Sequence, residues 1–165
     1  MNKRIYFTLL FLTTLFSGWA FRSFGQEHNV QSILNSDSSS VAKTLDKFIK
    51  AFTTLNWSDF TECFADDVTA FFPPSAKFPY RANNKAEVNN IFRAVFENAR
   101  KQKSEPPYLD IQPKDLKIQM LGPVAIVTFL LEDPDLLGRR TIVLKKDKLN
   151  WRIVHLHASG IIIPK

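Results

Sequence analysis

One cysteine, Cys63, stands in the whole chain, so no intrachain disulfide can form whatever the redox state of the compartment. Its setting, W-S-D-F-T-E-C-F-A, is apolar and marks a small buried hydrophobe rather than a reactive thiol. Histidine is scarce as well: His28, His155 and His157 are the only three. No dense basic stripe is present either. The 22 Lys and Arg against 16 Asp and Glu give a net charge of +6, but the cations are scattered, as in R-K-Q-K and K-K-D-K, without interleaved aromatics. That pattern points away from a nucleic-acid partner. The apolar start of the chain has no neighbouring cysteine, which argues against a lipid-modified terminus. There is no internal repeat, and no low-complexity tract beyond one serine cluster.

What is present suits one packed domain: 165 residues, 45% hydrophobic and 13% aromatic, are ample for a core. The first residues read as an export signal. Lys3 and Arg4 precede the apolar run I-Y-F-T-L-L-F-L-T-T-L-F, and the small residues Ser23 and Gly25 precede Gln26. Residues 1–25 are therefore expected to be a cleaved secretory signal. The rival is a permanent anchor, since Ile5 to Phe21 is 17 residues, the short end of a membrane span. Three threonines, Ser17 and Gly18 dilute that stretch and favour cleavage. The expectation is an exported chain, periplasmic or secreted, with no stable membrane anchor. Loss of Lys3, Arg4 and Arg22 from the +6 chain leaves a mild +3.

Residues 26–39 are polar and serine-rich, and they predict a loosely ordered lead-in to a domain over 40–165. From Val41 the apolar residues Leu45, Phe48, Phe52 and Leu55 recur at helical spacing, with Ser39 or Ser40 as the expected cap. A short helix over Trp57–Phe64, capped by Asn56 or Ser58, and a strand over Val68–Phe72 ended by Pro73 and Pro74 follow. A third helix opens at Asn83 or Asn84 with Val88, Ile91, Phe92, Val95, Phe96 and Ala99 on one face. From Tyr108 the period changes to two, over Y-L-D-I-Q-P-K-D-L-K-I-Q-M, V-A-I-V-T-F-L-L-E, R-R-T-I-V-L-K-K and W-R-I-V-H-L-H-A-S. Helices first and hairpin-linked strands last predict an α+β fold, three helices packed on one face of a curved antiparallel sheet.

That order of elements, with A-F-T-T-L-N-W-S-D-F-T-E-C-F-A-D-D-V near the front and W-R-I-V-H-L-H-A-S-G at the end, resembles the SnoaL-like branch of the nuclear transport factor 2-like superfamily. The closing motif is also similar to the last strand of the calcium/calmodulin-dependent protein kinase association domain. The resemblance covers roughly residues 40–162. It implies a cone-like, cystatin-like fold with a pocket at its open end, and pairing of two copies through the outer sheet face. Its chemistry stays open, because isomerases, cyclases, dehydratases and non-catalytic assembly domains share the cone.

Alternation along the last strand puts Trp151, Ile153, His155, His157 and Ser159 on one face and Arg152, Val154, Leu156 and Ala158 on the other. The second set is the more uniformly apolar, so it is expected to face the helices, with the histidines outside. The reverse is open, since Trp151 and Ile153 are also core residues. His155 and His157 read in three ways: metal ligands lacking a third histidine, a general acid or base near neutral pH, or structural hydrogen bonds. Ala158 stands where the association domain has a pocket arginine. That leaves Arg140, or its neighbour Thr141, near another basic pocket position of that domain.

The resemblance also implies that a catalytic member would hold a desolvated carboxylate beside a phenol or acid donor. Asp110, alternating with Tyr108, is the most interesting acid here. Asp66, Asp67 and Asp133 read as turn residues. Tyr80 and Arg81, in F-P-Y-R, fall where the superfamily places residues at the pocket mouth. The leading expectation is a binding domain whose apolar pocket takes a small organic ligand through Tyr80, Arg81, Arg140, His155 and His157, working as a homodimer. The rival is an isomerase, cyclase or dehydratase with His157 or Asp110 as base and Tyr80 as donor, and a third reading is a pure assembly domain. No cofactor or metal is called for.

Overall fold

The computed structural model describes residues 23–73, 81–148 and 150–163. The expected signal therefore lies almost wholly outside the described residues. Helix α1 runs Ser23–Thr54, α2 Trp57–Glu62, strand β1 Phe64–Phe71, β2 Arg81–Ala82, helix α3 Lys85–Gln102, and strands β3 Lys114–Leu121, β4 Val124–Asp133, β5 Leu136–Asp147 and β6 Asn150–Ile162. The strands form one curved sheet in the order β2-β1-β6-β5-β4-β3. All neighbours are antiparallel except β1 with β6, which are parallel. The predicted α+β architecture of three helices on a curved sheet is the one observed.

Two local expectations are corrected. The serine-rich stretch is helical, the middle of α1, and Ser39 and Ser40 are interior rather than caps. Ser40 Oγ and Thr44 Oγ1 donate back to the carbonyls of Ser36 and Ser40, so the hydroxyls are satisfied inside the helix. Asp37 meets Lys146 at 2.6 Å and ties this part of α1 to the end of β5. The second correction concerns the stretch from Tyr108, where alternation predicts a strand. Residues before Lys114 are irregular, for a reason the sequence holds: Pro106, Pro107 and Pro113 have no amide to give a ladder. The amides of Tyr108 and Leu109 instead donate to the Thr53 carbonyl, one of those left over in the last turn of α1.

The helix boundaries follow from caps. Leu55, at φ 53°, ends α1 while Asn56 N–H reaches the Ala51 carbonyl and Leu55 N–H the Phe52 carbonyl, a Schellman closure. A leucine in this left-handed conformation costs about 1–2 kcal/mol, offset by burial of its side chain. Asn56 then caps α2 through Asp59 N–H, and Asn84 caps α3 through Glu87 N–H. The Glu87 carboxylate reaches back to Asn83 N–H at 2.8 Å.

Between helices and sheet the core is aromatic. Phe60 is fully buried, with Phe92, Phe96, Phe64 and Phe48 ring centroids at 4.7, 5.1, 5.2 and 5.3 Å. This one ring from the short α2 joins α1, α3 and β1, which explains why six residues of helix hold their place. Truncation there leaves a hole that six aromatic rings border, those of Phe52 and Trp57 included. We expect Phe60→Ala to lower unfolding stability by about 3–5 kcal/mol, read by denaturant titration. A loss under about 1 kcal/mol would mean the rings close the gap and that α2 is not the hub.

Candidate functional site

The last strand resolves the question of its faces in an unexpected way. Val143 pairs with His155 while the next residue of β5, Leu144, pairs with Ile153, so Val154 is one residue too many: a β-bulge. Before the bulge Trp151 and Ile153 point to the core, and after it Leu156 and Ala158 do. His155 is half-buried and His157 exposed, both on the outer face, away from the helices. The expectation for Leu156 and Ala158 is met. Trp151 and Ile153, given to the other face by simple alternation, are buried as well.

On the outer face the side chains align in rows across four strands. Thr69, His155, Val143 and Ile126 form one, and Phe71, His157, Thr141 and Thr128 the next. Thr69 Oγ1 and His155 Nδ1 are 2.8 Å apart. In the neutral Nε2–H tautomer the hydroxyl donates and Nδ1 accepts. The Phe71 ring presents to both imidazoles, 5.7 Å from His155 and 5.9 Å from His157. Burial, helped by the neighbouring His157, holds the His155 pKa below its ordinary value.

Arg140 lies on the opposite face. It pairs with Ala158 on β6 and Phe129 on β4, both buried, so its side chain lies on the inner surface. Its Nη1 donates to the carbonyls of Ser159 and Arg139 at 3.0 and 2.9 Å. The guanidinium rests above Gly138, where an added Cβ would stand 3.2 Å from Nη1. Burial pushes its pKa down and the charge of Asp133 partly offsets this; an arginine stays protonated regardless.

These groups share a groove of about 660 Å³ at the end of β1, walled by Phe71, Phe72, Pro73, Leu136, Ala158 and Gly160 together with Arg140, His155, His157 and Ser159. It lies at the opposite end of β1 from Phe64 and the packed phenylalanines. Three of the five expected ligand contacts are thus brought together. Arg81 is not among them: it is exposed on β2, its Nε donating to Asn83 Oδ1. Tyr80 lies outside the described residues.

Asp110 is not brought to the groove. It is exposed in the irregular stretch before β3, accepting from Gln112 Nε2, and β3 is three strands from β6. No described carboxylate lines the groove, and among the described residues no third His, Cys, Asp or Glu gathers with the two histidines. Cys63 is buried, its thiol pushed up to about 11 by desolvation, which fits the inert reading. Sequence reading missed Leu136, Gly138 and Gly160. The signal was available, since glycine inside a strand marks close approach, and here Gly138 and Gly160 pair directly.

A model of the SnoaL-like domain matches residues 41–164. The chain belongs to the SnoaL-like domain family. Among solved structures, this SnoaL-like chain is similar to a provisionally named dehydratase of the NTF2-like family from Streptomyces avermitilis, at 17% identity over 78% of this chain and 99% of that one, TM-score 0.64. It is also similar to a provisionally named ketosteroid isomerase from Shewanella frigidimarina (21% identity, 73% and 94% covered, TM-score 0.57). A third likeness is to a provisionally named calcium/calmodulin-dependent protein kinase type II association domain from Thiobacillus denitrificans (23% identity, 72% and 92% covered, TM-score 0.55). At these identities the likeness is one of fold. No curated protein matches the sequence at a significant level. Among the described residues of this SnoaL-like chain no helix is long and apolar enough to cross a membrane.

The His155 environment fixes a direction of pH dependence. Its folded pKa lies below that of an unfolded histidine, about 6.5, so the unfolded chain binds the proton more tightly. The contribution of His155 to stability is then whole above about pH 6.5 and declines as the pH falls below it. NMR titration of the His155 ring should give a midpoint under 6.5, with lower denaturant stability at pH 5.5 than at pH 7. A midpoint above 6.5 would reverse the sign.

Proposed function

We propose that this chain is an exported SnoaL-like binding module that holds a small organic molecule in the groove at the end of β1 and works as a pair joined through the outer face of the sheet. The observation that carries the binding reading is the make-up of that groove: an apolar wall, one arginine and two imidazoles, without a carboxylate beside them. Proton-transfer chemistry in a cone of this kind needs an ionisable group and a donor converging on one reacting atom. Here the nearest such pair, Thr69 and His155, is spent on itself across two strands. A volume near 660 Å³ suits a small ligand.

With 1-octanol as a neutral apolar probe, amide shifts in NMR spectra should concentrate at Phe71, Phe72, Leu136 and Ala158. Shifts scattered over the molecule, or centred on β3, would remove the groove as the binding site.

Support for the pair comes from the outer rows. Thr69, Val143, Ile126, Thr141 and Thr128 are half-buried and carry no charge, so a second copy meets no like-charge penalty along them. Light scattering of the unsubstituted protein should give twice the chain mass, and Val143→Lys, which sets a cation in the middle of the seam, should give the single mass. A monomer at high concentration before substitution would end the pairing proposal.

A further inference from the structure

We infer that the chain holds a second, separate site, for a small phosphate-type oxyanion, at the far end of β6 from the groove. A hollow of about 430 Å³ opens there, bordered by Lys47 of α1, Glu62 at the end of α2, Lys85 in the first turn of α3, and Trp151 and Arg152 of β6. It exists because β1 begins only at Phe64, opposite Ile153, and leaves that edge of β6 uncovered before it. Trp151 and Arg152 alternate across the sheet, and a hollow set on its edge reaches both.

The side chains around the hollow are mostly donors. Trp151 is 4% exposed, and its buried Nε1–H meets no acceptor among the described residues. An indole nitrogen only donates, so the missing partner is an acceptor. Arg152 is half-buried, forms no ion pair among the described residues, and stands directly opposite Lys145 on β5, like charge against like. The one acid of the lining, Glu62, is engaged with Lys47 at 2.7 Å. Asp59 and Asp66 touch Lys47 and Lys85 from the surface at 3.4 and 3.6 Å, their side chains 48% and 90% exposed, where water screens them. Asp66, Asp67 and Asp147 share a neighbouring hollow with Arg152, and none of them comes within ion-pair distance of it. Three cations against one acid leave the lining with an excess of positive charge, and the orphan indole calls for an oxygen. A phosphate-type oxyanion supplies the charge and has oxygens enough for guanidinium, ammonium and indole together. Nothing in this site depends on the groove, so either stands without the other.

The test adds inorganic phosphate to the purified protein at about pH 7.5 in dilute Tris chloride and follows the Trp151 indole N–H and the Arg152 amide by NMR. Both should shift and saturate at millimolar phosphate, while sodium chloride at the same ionic strength leaves them in place. Arg152→Gln should weaken phosphate at least about tenfold, the scale of one charge-assisted hydrogen bond. Glu62→Gln, which removes the acid of the lining from an exposed position, should instead tighten phosphate about two- to threefold. A poorly folded protein cannot produce that gain, so it decides the matter if Arg152→Gln is unstable. Shifts that chloride reproduces, shifts centred on the groove, or phosphate binding that survives Arg152→Gln overturn the site. So does the absence of any saturable shift.

Discussion

The insertion of Val154 between the Leu144–Ile153 and Val143–His155 pairs reverses the phase of β6 halfway along its length. Without that extra residue, a strand starting with Trp151 and Ile153 inside would carry His155 and His157 inside as well, and Leu156 and Ala158 would face solvent. With it, both apolar sets are buried and both imidazoles are turned out. The neighbouring strand answers in kind: β1 pairs Phe64 with Ile153 and Thr69 with His155, setting the four residues Ala65 to Val68 against Val154 alone. The outer row that joins Thr69 to His155 exists because the two irregularities lie side by side.

The same bulge divides the interior. On its near side Phe64, Phe60, Phe92 and Phe48 fill the space between helices and sheet to van der Waals contact. Beyond it the inward residues of β6 shrink from tryptophan and isoleucine to Ala158 and Gly160, and those of β5 to Gly138. Small residues there leave volume, and Leu136 and the Arg140 guanidinium fold over the bare backbone without filling it. Rigidity at one end and vacancy at the other thus come from one gradient of side-chain size.

Much of the fold was legible in the sequence because its signals agreed across levels. The apolar faces of α1 and α3, the asparagine caps and the alternation of β4 and β5 each point to one answer. What could not be read was phase. Trp151 and Ile153 belong to one alternation and Leu156 and Ala158 to the other, and a uniform strand cannot honour both. That conflict was the mark of a bulge, but two apolar sets of similar weight do not say where it falls. The serine stretch misled for a different reason: weak helix propensity is overruled when a helix already anchored at Val41 and Leu45 is pinned again by Asp37 and Lys146. The site was half legible. His155, His157 and Arg140 border one groove from opposite faces of the sheet, while Asp110 was placed by an alternation that three prolines break.

The placement of charge bears on why a fold shared by named isomerases and association domains does not choose between them. Along β1 from Val68 to Ala70, β4 from Ala125 to Leu131, β5 from Leu136 to Leu144 and β6 from Trp151 to Ala158, the inward side chains are apolar with one exception among the described residues, Arg140. A carboxylate base needs desolvation to raise its pKa, hence an inward position; among the described residues no acid is buried. An inward cation does the opposite work. It stabilises an anion already formed and, being a donor only, takes no proton itself. The one inward cation follows from the register of β5, which sets residue 140 between Ala158 and Phe129.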